Sequence, residues 1–530
     1  MTRHRILSTF LAAACLALPS HSTAQSPAQR APINGKDVAF TFVVNCHDWV
    51  NLSDSAATLD RLATIYESHG VKGEFYFTAP LFFRYLRSHP LVLLHLITGG
   101  HTISYHYRPP HPCYFRGAVT DQLEAMPLTP RTYEVALNEV RELDLSTGTY
   151  TGNWGGFFGI SWLTGVTPFT VGAGQVTESL GETLRYVLRL GGARMCVYFH
   201  ESGSRQDHPL FYRGGLLERP ADFSVTRWSI NGGPENFWWN HIQNPSTAGE
   251  GDPSQRFLQT IDSLPQGTLH FGHSLIHENN YYFSGTPWGP VYYHDSQKTQ
   301  PKTPPFNLAA TARWAQPRPQ SQQDLIWSTY DDLVRTVANH PRVKVVTAED
   351  IAGLVADDRR RRLPADVIDN AAAAVLADYQ ANGGLPEWID AGQGVDVSLC
   401  EALLAFARVV SSTGSLPADF EVFDALGPVD LPDLGGAGTG SRFGPSEQQQ
   451  LAAQIVVSFE SVPQLIPDRL TVGSKQINAA EALLLLAESV QDQVAGRSLR
   501  LRTAPQLSIA GTRLSRRPSL WSQRPATRVQ

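Results

Sequence analysis

The chain is 530 residues long, more than one ordinary core takes up, so two or three domains are expected. Hydrophobic residues make up 42% and charged residues 17%, a globular composition that excludes a disordered chain. The net charge of −6 gives the whole chain no pull towards nucleic acid.

Residues 1–24 have the form of a secretory signal peptide. Arg3, His4 and Arg5 precede the apolar run 6-ILSTFLAAACLALP-19, and small residues then place cleavage near Ala24. No later run is long and apolar enough to span a bilayer. The mature protein is therefore expected to be secreted, periplasmic or held at the cell surface. Export permits disulfides. Cys46 and Cys113 are open to two readings, a bridge or two free buried thiols.

A polar linker over 25–37 leads to 38-VAFTFVV-44, a continuous apolar run that suits a strand buried on both faces. In 54-DSAATLDRLATIYESHG-70, Leu59, Leu62, Ile65 and Tyr66 fall at helical spacing and Gly70 supplies the stop. The strand 74-EFYFT-78 follows, completing a βαβ unit. Similar alternation predicts helices at 89–98, 131–144 and 176–191. Strands are expected at 101–106, 148–154, 194–199, 222–229 and 267–273. Residues 284–320 read as a long loop rich in Pro, Gly, Gln and Ser. Helix 322–339, strand 343–347 and helix 348–355 close the region. This many alternations over 25–355 predict an α/β domain, a (β/α) barrel or a distorted version of one.

The charge cluster 356-ADDRRRRLP-364 marks a domain boundary. A small, mostly helical domain is expected over 365–495, built on a repeat. One copy is 385-LPEWIDAGQGVDVSLCEALLAFARVV-410 and the other 466-IPDRLTVGSKQINAAEALLLLAESV-490. Each reads as an extended segment, a turn and an amphipathic helix. The Arg-, Ser- and Pro-rich stretch 496–530 reads as a disordered basic tail.

Chemistry gathers in 40-FTFVVNCHDW-49 and 100-GHTISYHYRPPHPCYF-115. His101 and His106 differ in strand parity and should face opposite ways, which favours His106 paired with His111 across the Pro-Pro turn. Asp48 adds a carboxylate. Two histidines and one carboxylate form the usual ligand set for a catalytic divalent ion such as zinc, which lowers the pKa of bound water and polarises a carbonyl.

The order strand–Asp, 69-HGVKGEFYFT-78, then 100-GHTISYHYRPPHP-112 resembles the NodB-type polysaccharide deacetylases. The likeness covers roughly residues 38–115 well and the rest to about 355 weakly. It implies a distorted (β/α) barrel of the polysaccharide deacetylase type and a divalent metal, zinc for preference, held by Asp48, His106 and His111. The family's TFDDG is replaced by 41-TFVVNCHDW-49, so Asn45 or His47 stands where the base Asp would be, and only His47 can take a proton. The strand-end histidine that acts as general acid corresponds to His273, with His270 and His277 as rivals. The family's Arg motif is not visible around 150-YTGNWGGFFGI-160. Substrate contacts are assigned to Arg108, Trp154, Trp238, Trp239 and Tyr281. The two C-terminal copies resemble pseudomurein-binding repeats, which implies anchoring to a cell-wall polymer. The expected function is an exported, metal-dependent deacetylase of an acetylated polysaccharide or cell-wall glycan. The alternative is a non-catalytic glycan- or wall-binding protein on the same scaffold.

Overall fold

The computed structural model describes residues 35–107, 120–173, 178–198, 210–218, 223–226, 253–267, 269–283, 287–296, 299–309, 316–356, 359–412, 418–428, 443–494 and 521–526. The signal segment 1–24, Arg108, His111, Cys113, Trp238 and Trp239 lie outside them.

The first βαβ unit is β1 (Val38–Cys46), α1 (Leu52–Ser68) and β2 (Gly73–Phe77). Every residue of β1 is buried, as its unbroken apolar run predicts. α1 turns Leu59, Leu62, Ile65 and Tyr66 inward. α2 (Ala79–Ser88) and α3 (Pro90–Thr98) follow, each opened by a proline whose missing N–H costs nothing in the first turn. The chain continues through β3 (Thr102–Tyr107), α4 (Thr120–Ala125) and α5 (Leu128–Asn138). β4 (Arg141–Asp144) and β5 (Thr149–Trp154) form a hairpin where the sequence predicts one helix running to residue 144. Then come α6 (Gly156–Thr164), β6 (Thr170–Ala173), α7 (Glu178–Leu190), β7 (Met195–Tyr198), β8 (Phe211–Arg213), β9 (Leu216–Glu218), β10 (Phe223–Thr226), α8 (Pro253–Ser263) and β11 (His270–His277). A 3-10 turn (Glu278–Tyr281), α9 (Gly289–Tyr292), α10 (Gln320–Asn339), β12 (Val343–Val345) and α11 (Ala348–Ala352) complete the region.

The strands form one curled, half-barrel sheet in the order β10-β11-β1-β2-β3-β6-β7-β9-β8. All of these pairs are parallel except β8 with β9. β12 pairs with the start of β1, beside β2. The fold is thus mixed α/β, with a sheet curled like part of a barrel.

The two faces of the sheet have different chemistry. The outer face, with Phe40, Phe42, Val44, Phe75, Phe77 and Ile103, packs under the helices in the main core. The inner face is layered. Ala39 and Phe271 lie in a lower apolar cluster with Met195, Leu217 and Val346. Above it, Thr41 stands opposite His273. Val43, Tyr76 and Leu275 make a second apolar cluster, and Asn45 opposite His277 comes next.

The C-terminal unit starts with β13 (Arg360–Pro364), so part of the charge cluster is a strand. Alternation sends Arg360 and Arg362 to exposed partners, Glu421 and Asp419, and Arg361 inward to Glu401. α12 (Ala365–Asn382) precedes the first repeat: hairpin β14 (Ile389–Asp390) and β15 (Asp396–Val397), then α13 (Leu399–Ser411). β16 (Asp419–Phe423) pairs with β13. α14 (Pro445–Glu460) precedes the second copy: hairpin β17 (Arg469–Val472) and β18 (Lys475–Asn478), then α15 (Ala479–Val494). Each copy is therefore a hairpin capped onto a helix. Ser398 and Glu401 cap α13 reciprocally, and Asn478 and Glu481 do the same for α15. α13 packs on α14, α12 on α15, and the two repeat helices pack on each other.

The tail departs from expectation. Residues 521–525 are buried, and β19 (Arg524–Pro525) pairs antiparallel with β8 at the far edge of the barrel sheet. Trp521 sits in the repeat core. Arg524, 1% exposed, contacts Glu401 at 3.2 Å and lies over the Tyr212 ring at 4.7 Å. Burial pushes the Glu401 carboxyl up, but the charges of Arg524 and Arg361 outweigh this and hold it below its ordinary value. A six-residue stretch thus fastens the repeats to the barrel.

Candidate active site at the strand ends

In an open parallel sheet, side chains at the carboxyl ends of the strands share one edge, where ligands bind. β1 runs out at Cys46 and delivers Asn45, His47 and Asp48. β3 delivers His106, and β11 delivers His277 and then Glu278. All six are at most 3% exposed. The His47 ring lies 5.8 Å from that of His106 and 4.6 Å from that of His277. Trp288 walls it at 4.3 Å, edge to face. Asn45 Nδ2 is 3.4 Å from His277 Nε2. An amide nitrogen there donates to Nε2, which leaves the ring proton on Nδ1.

Glu278 holds this arrangement from below. Its Oε1 accepts the backbone N–H groups of His47 and Asp48, both at 2.5 Å. Burial, then the charge of Asp48, pushes the carboxyl up to about 8, against the lowering effect of those two donors. At neutral pH Glu278 therefore keeps its proton, so the pair does not place two negative charges together in the core. No local pattern in the sequence marks Glu278 for this role. Its role became visible once β11 was seen to run to His277.

Asp48 is placed differently from the expectation. Its Oδ1 accepts from the N–H groups of Val50 at 2.9 Å and Asn51 at 3.2 Å. Its Oδ2 accepts from Asn51 Nδ2 at 3.1 Å and the Tyr282 hydroxyl at 2.8 Å. With four donors, the carboxylate is the turn that starts α1. Burial raises its pKa, and the Asn51 and Tyr282 bonds offset part of that rise.

His273 does not sit at the strand end. It lies opposite Thr41, four residues (about 13 Å) short of His277, with the Val43–Leu275 layer between. The strand-end histidine of β11 is His277. His101 begins β3 at the opposite edge, where its Nδ1 accepts from the Gly73 N–H at 3.0 Å. Burial and the Lys72 charge lower its pKa to about 4. Tyr281 is core, its ring tilted against Trp327 with centroids 4.2 Å apart, and offers no surface to a substrate. Trp154 is half exposed on the β4–β5 hairpin, and Cys46 is a free, buried thiol.

Of the expected metal set, His111 lies outside the described residues, and Asp48 already accepts from four donors. Among the described residues, no three His, Cys, Asp or Glu side chains are grouped to hold an ion. Among the same residues, no helix is long and apolar enough to cross a membrane.

No family model matches the chain, and no curated protein matches it. Among solved structures, it is similar to the 4-alpha-glucanotransferase from Thermococcus litoralis at 12% identity and a TM-score of 0.34. That match covers 60% of this chain and 40% of that one, and at this level it says nothing of reaction or substrate.

Proposed function

We propose that this protein is an exported hydrolase that removes acetyl groups from a glycan, with its reaction centre among His47, His106 and His277. The observation that supports it is convergence. The two motifs that resemble the deacetylases end at one sheet edge, with the His47 and His106 rings 5.8 Å apart and a third imidazole, His277, 4.6 Å from His47. Imidazole accepts and returns a proton near neutrality, as attack of water on an acyl carbonyl requires. His47 would take the proton from water. Glu278 acts as a positioning residue, since it holds the His47–Asp48 backbone. Trp288 keeps one side of the site apolar. These imidazoles carry the proton transfers.

Acetate release from N-acetylchitohexaose and from acetylated xylan tests the reading. Release should fall at least about 100-fold in His47→Ala and in His106→Ala, the usual scale for losing a general acid–base group. No release from either substrate, or undiminished release in both variants, would sink it. Elemental analysis of purified wild type and His106→Ala tests the ion separately. Stoichiometric zinc that disappears in the variant would restore a metal-assisted route.

A further inference from the structure

Trp154 belongs to a different place from the strand-end histidines. Two tryptophans, Trp154 at 49% and Trp162 at 47%, are widely exposed among the described residues. Their rings stand 4.8 Å apart, edge to face, where the β4–β5 hairpin meets α6. Leu163 beside them is also exposed. Exposed aromatics of this size, grouped together, mark a binding surface more often than an accident of packing.

A cavity of about 470 Å³ opens there, within the usual size of small-ligand pockets. Its walls include Phe83, Leu86, Arg87, Glu142, Asn153 and Trp154, and it shares no residue with the strand ends. The polar side is already organised. Arg87 donates to Glu142 Oε1 at 2.7 Å, and Asn153 Nδ2 donates to Oε2 at 3.2 Å. The hairpin is pressed close as well, because a Cβ on Gly155 would lie 2.2 Å from the Glu142 backbone. A preformed array of this kind lowers the ordering cost of a ligand.

The composition selects the ligand class. Arg87 and Glu142 neutralise each other, so the pocket has no net charge to recruit a phosphate, a carboxylate or a basic peptide. What remains is a flat aromatic face beside fixed planar donors and acceptors. A pyranose offers the matching surfaces, C–H groups on its face and hydroxyls on its rim. We propose that this flank pocket binds a neutral hexopyranose chain, with Trp154 as the stacking platform and Arg87, Glu142 and Asn153 as hydroxyl partners. The proposal does not rest on the acetyl-removing reaction, because the two places share no residue.

Calorimetric titration of the full-length protein with cellohexaose, mannohexaose and N-acetylchitohexaose tests it. At least one should bind saturably, with a matching change in tryptophan fluorescence. Trp154→Ala should weaken that binding by about tenfold or more, while Trp154→Phe keeps part of it. His106→Ala should leave it unchanged. Thermal scans show whether each variant is folded, and Trp154 is exposed enough for both changes to be tolerated. Saturable binding by none of the three sugars overturns the proposal. So does equal affinity in Trp154→Ala, and so does a loss in His106→Ala alone, which would move the sugar to the strand ends. Failed acetate release with intact, Trp154-dependent binding would remove the proposed reaction and leave this site standing.

Discussion

Replacing Glu278 by Gln tests whether a buried, proton-holding carboxyl props up the strand-end histidines. The native carboxyl titrates at about 8, against an ordinary value of 4.5 for the unfolded chain. Between those values the folded protein holds a proton that the unfolded chain has released. Stability therefore declines as pH rises through that window, by about 1.4 kcal/mol per unit, and levels off above about 8. At pH 7 the accumulated cost is on the order of 3 kcal/mol. Gln keeps an acceptor for the His47 and Asp48 N–H groups and has nothing to titrate. Its buried amide adds a pH-independent offset of about 1–3 kcal/mol, so the slope of the difference curve is the test and not its height. Thermal and urea unfolding of both proteins between pH 4.5 and 8.5 supplies that curve. The stability of Glu278→Gln relative to wild type should climb by about 3 kcal/mol from pH 4.5 to pH 7, then flatten above pH 8. Parallel curves over the whole range would show that Glu278 is ionised at neutral pH, and the account of the site's electrostatics would fall with it.

Four other changes probe the frame. Arg524→Ala leaves Glu401 with one of its two guanidinium partners and should cost about 3–5 kcal/mol, read as a lowered unfolding temperature of the repeat unit; an unchanged transition would mean the tail segment is no fastening. Ser398→Ala removes the cap of α13 and should cost about 1 kcal/mol, with Asn478→Ala doing the same for α15, both measured by urea midpoint. Gly73→Ala would put a Cβ 2.5 Å from Cε2 of the buried Tyr66, so about 1–3 kcal/mol of overpacking is expected in thermal scans.

Local chemistry was legible where one segment decides it. The run 38-VAFTFVV-44 reads as a doubly buried strand because both faces are covered, one by helices and one by the inner layers. The repeats were legible because each cap lies within four residues of its helix. What escaped depends on distant partners. Asp48 looks like a ligand in one dimension, and its use as a turn needs Tyr282 from 234 residues away. The helix expected to reach residue 144 ends at Asn138, and from Arg141 the chain pairs as β4 with β5. The tail was read as disordered on composition, yet Arg524 is bound by Tyr212 and Glu401, both remote in sequence. Charge patterning cannot show that a lone arginine has a buried carboxylate waiting for it.

The choice between His273 and His277 shows how register decides which side chain ends the strand. Both lie on β11, both have odd numbers, and both face the barrel interior. Nothing in 270-HFGHSLIHENN-280 says which is the last, because the strand could end at either. The register Asn45↔His277 settles it, since β1 stops at Cys46 and β11 stops with it. His273 then lies one layer lower, partly buried opposite Thr41, with Val43 and Leu275 between it and the strand end. The side chains that reach the carboxyl edge of β1 and β11 lie above Val43 and Leu275. There the choice of side chains is small: Asn45, His47, His106, His277 and the proton-holding Glu278 beneath them.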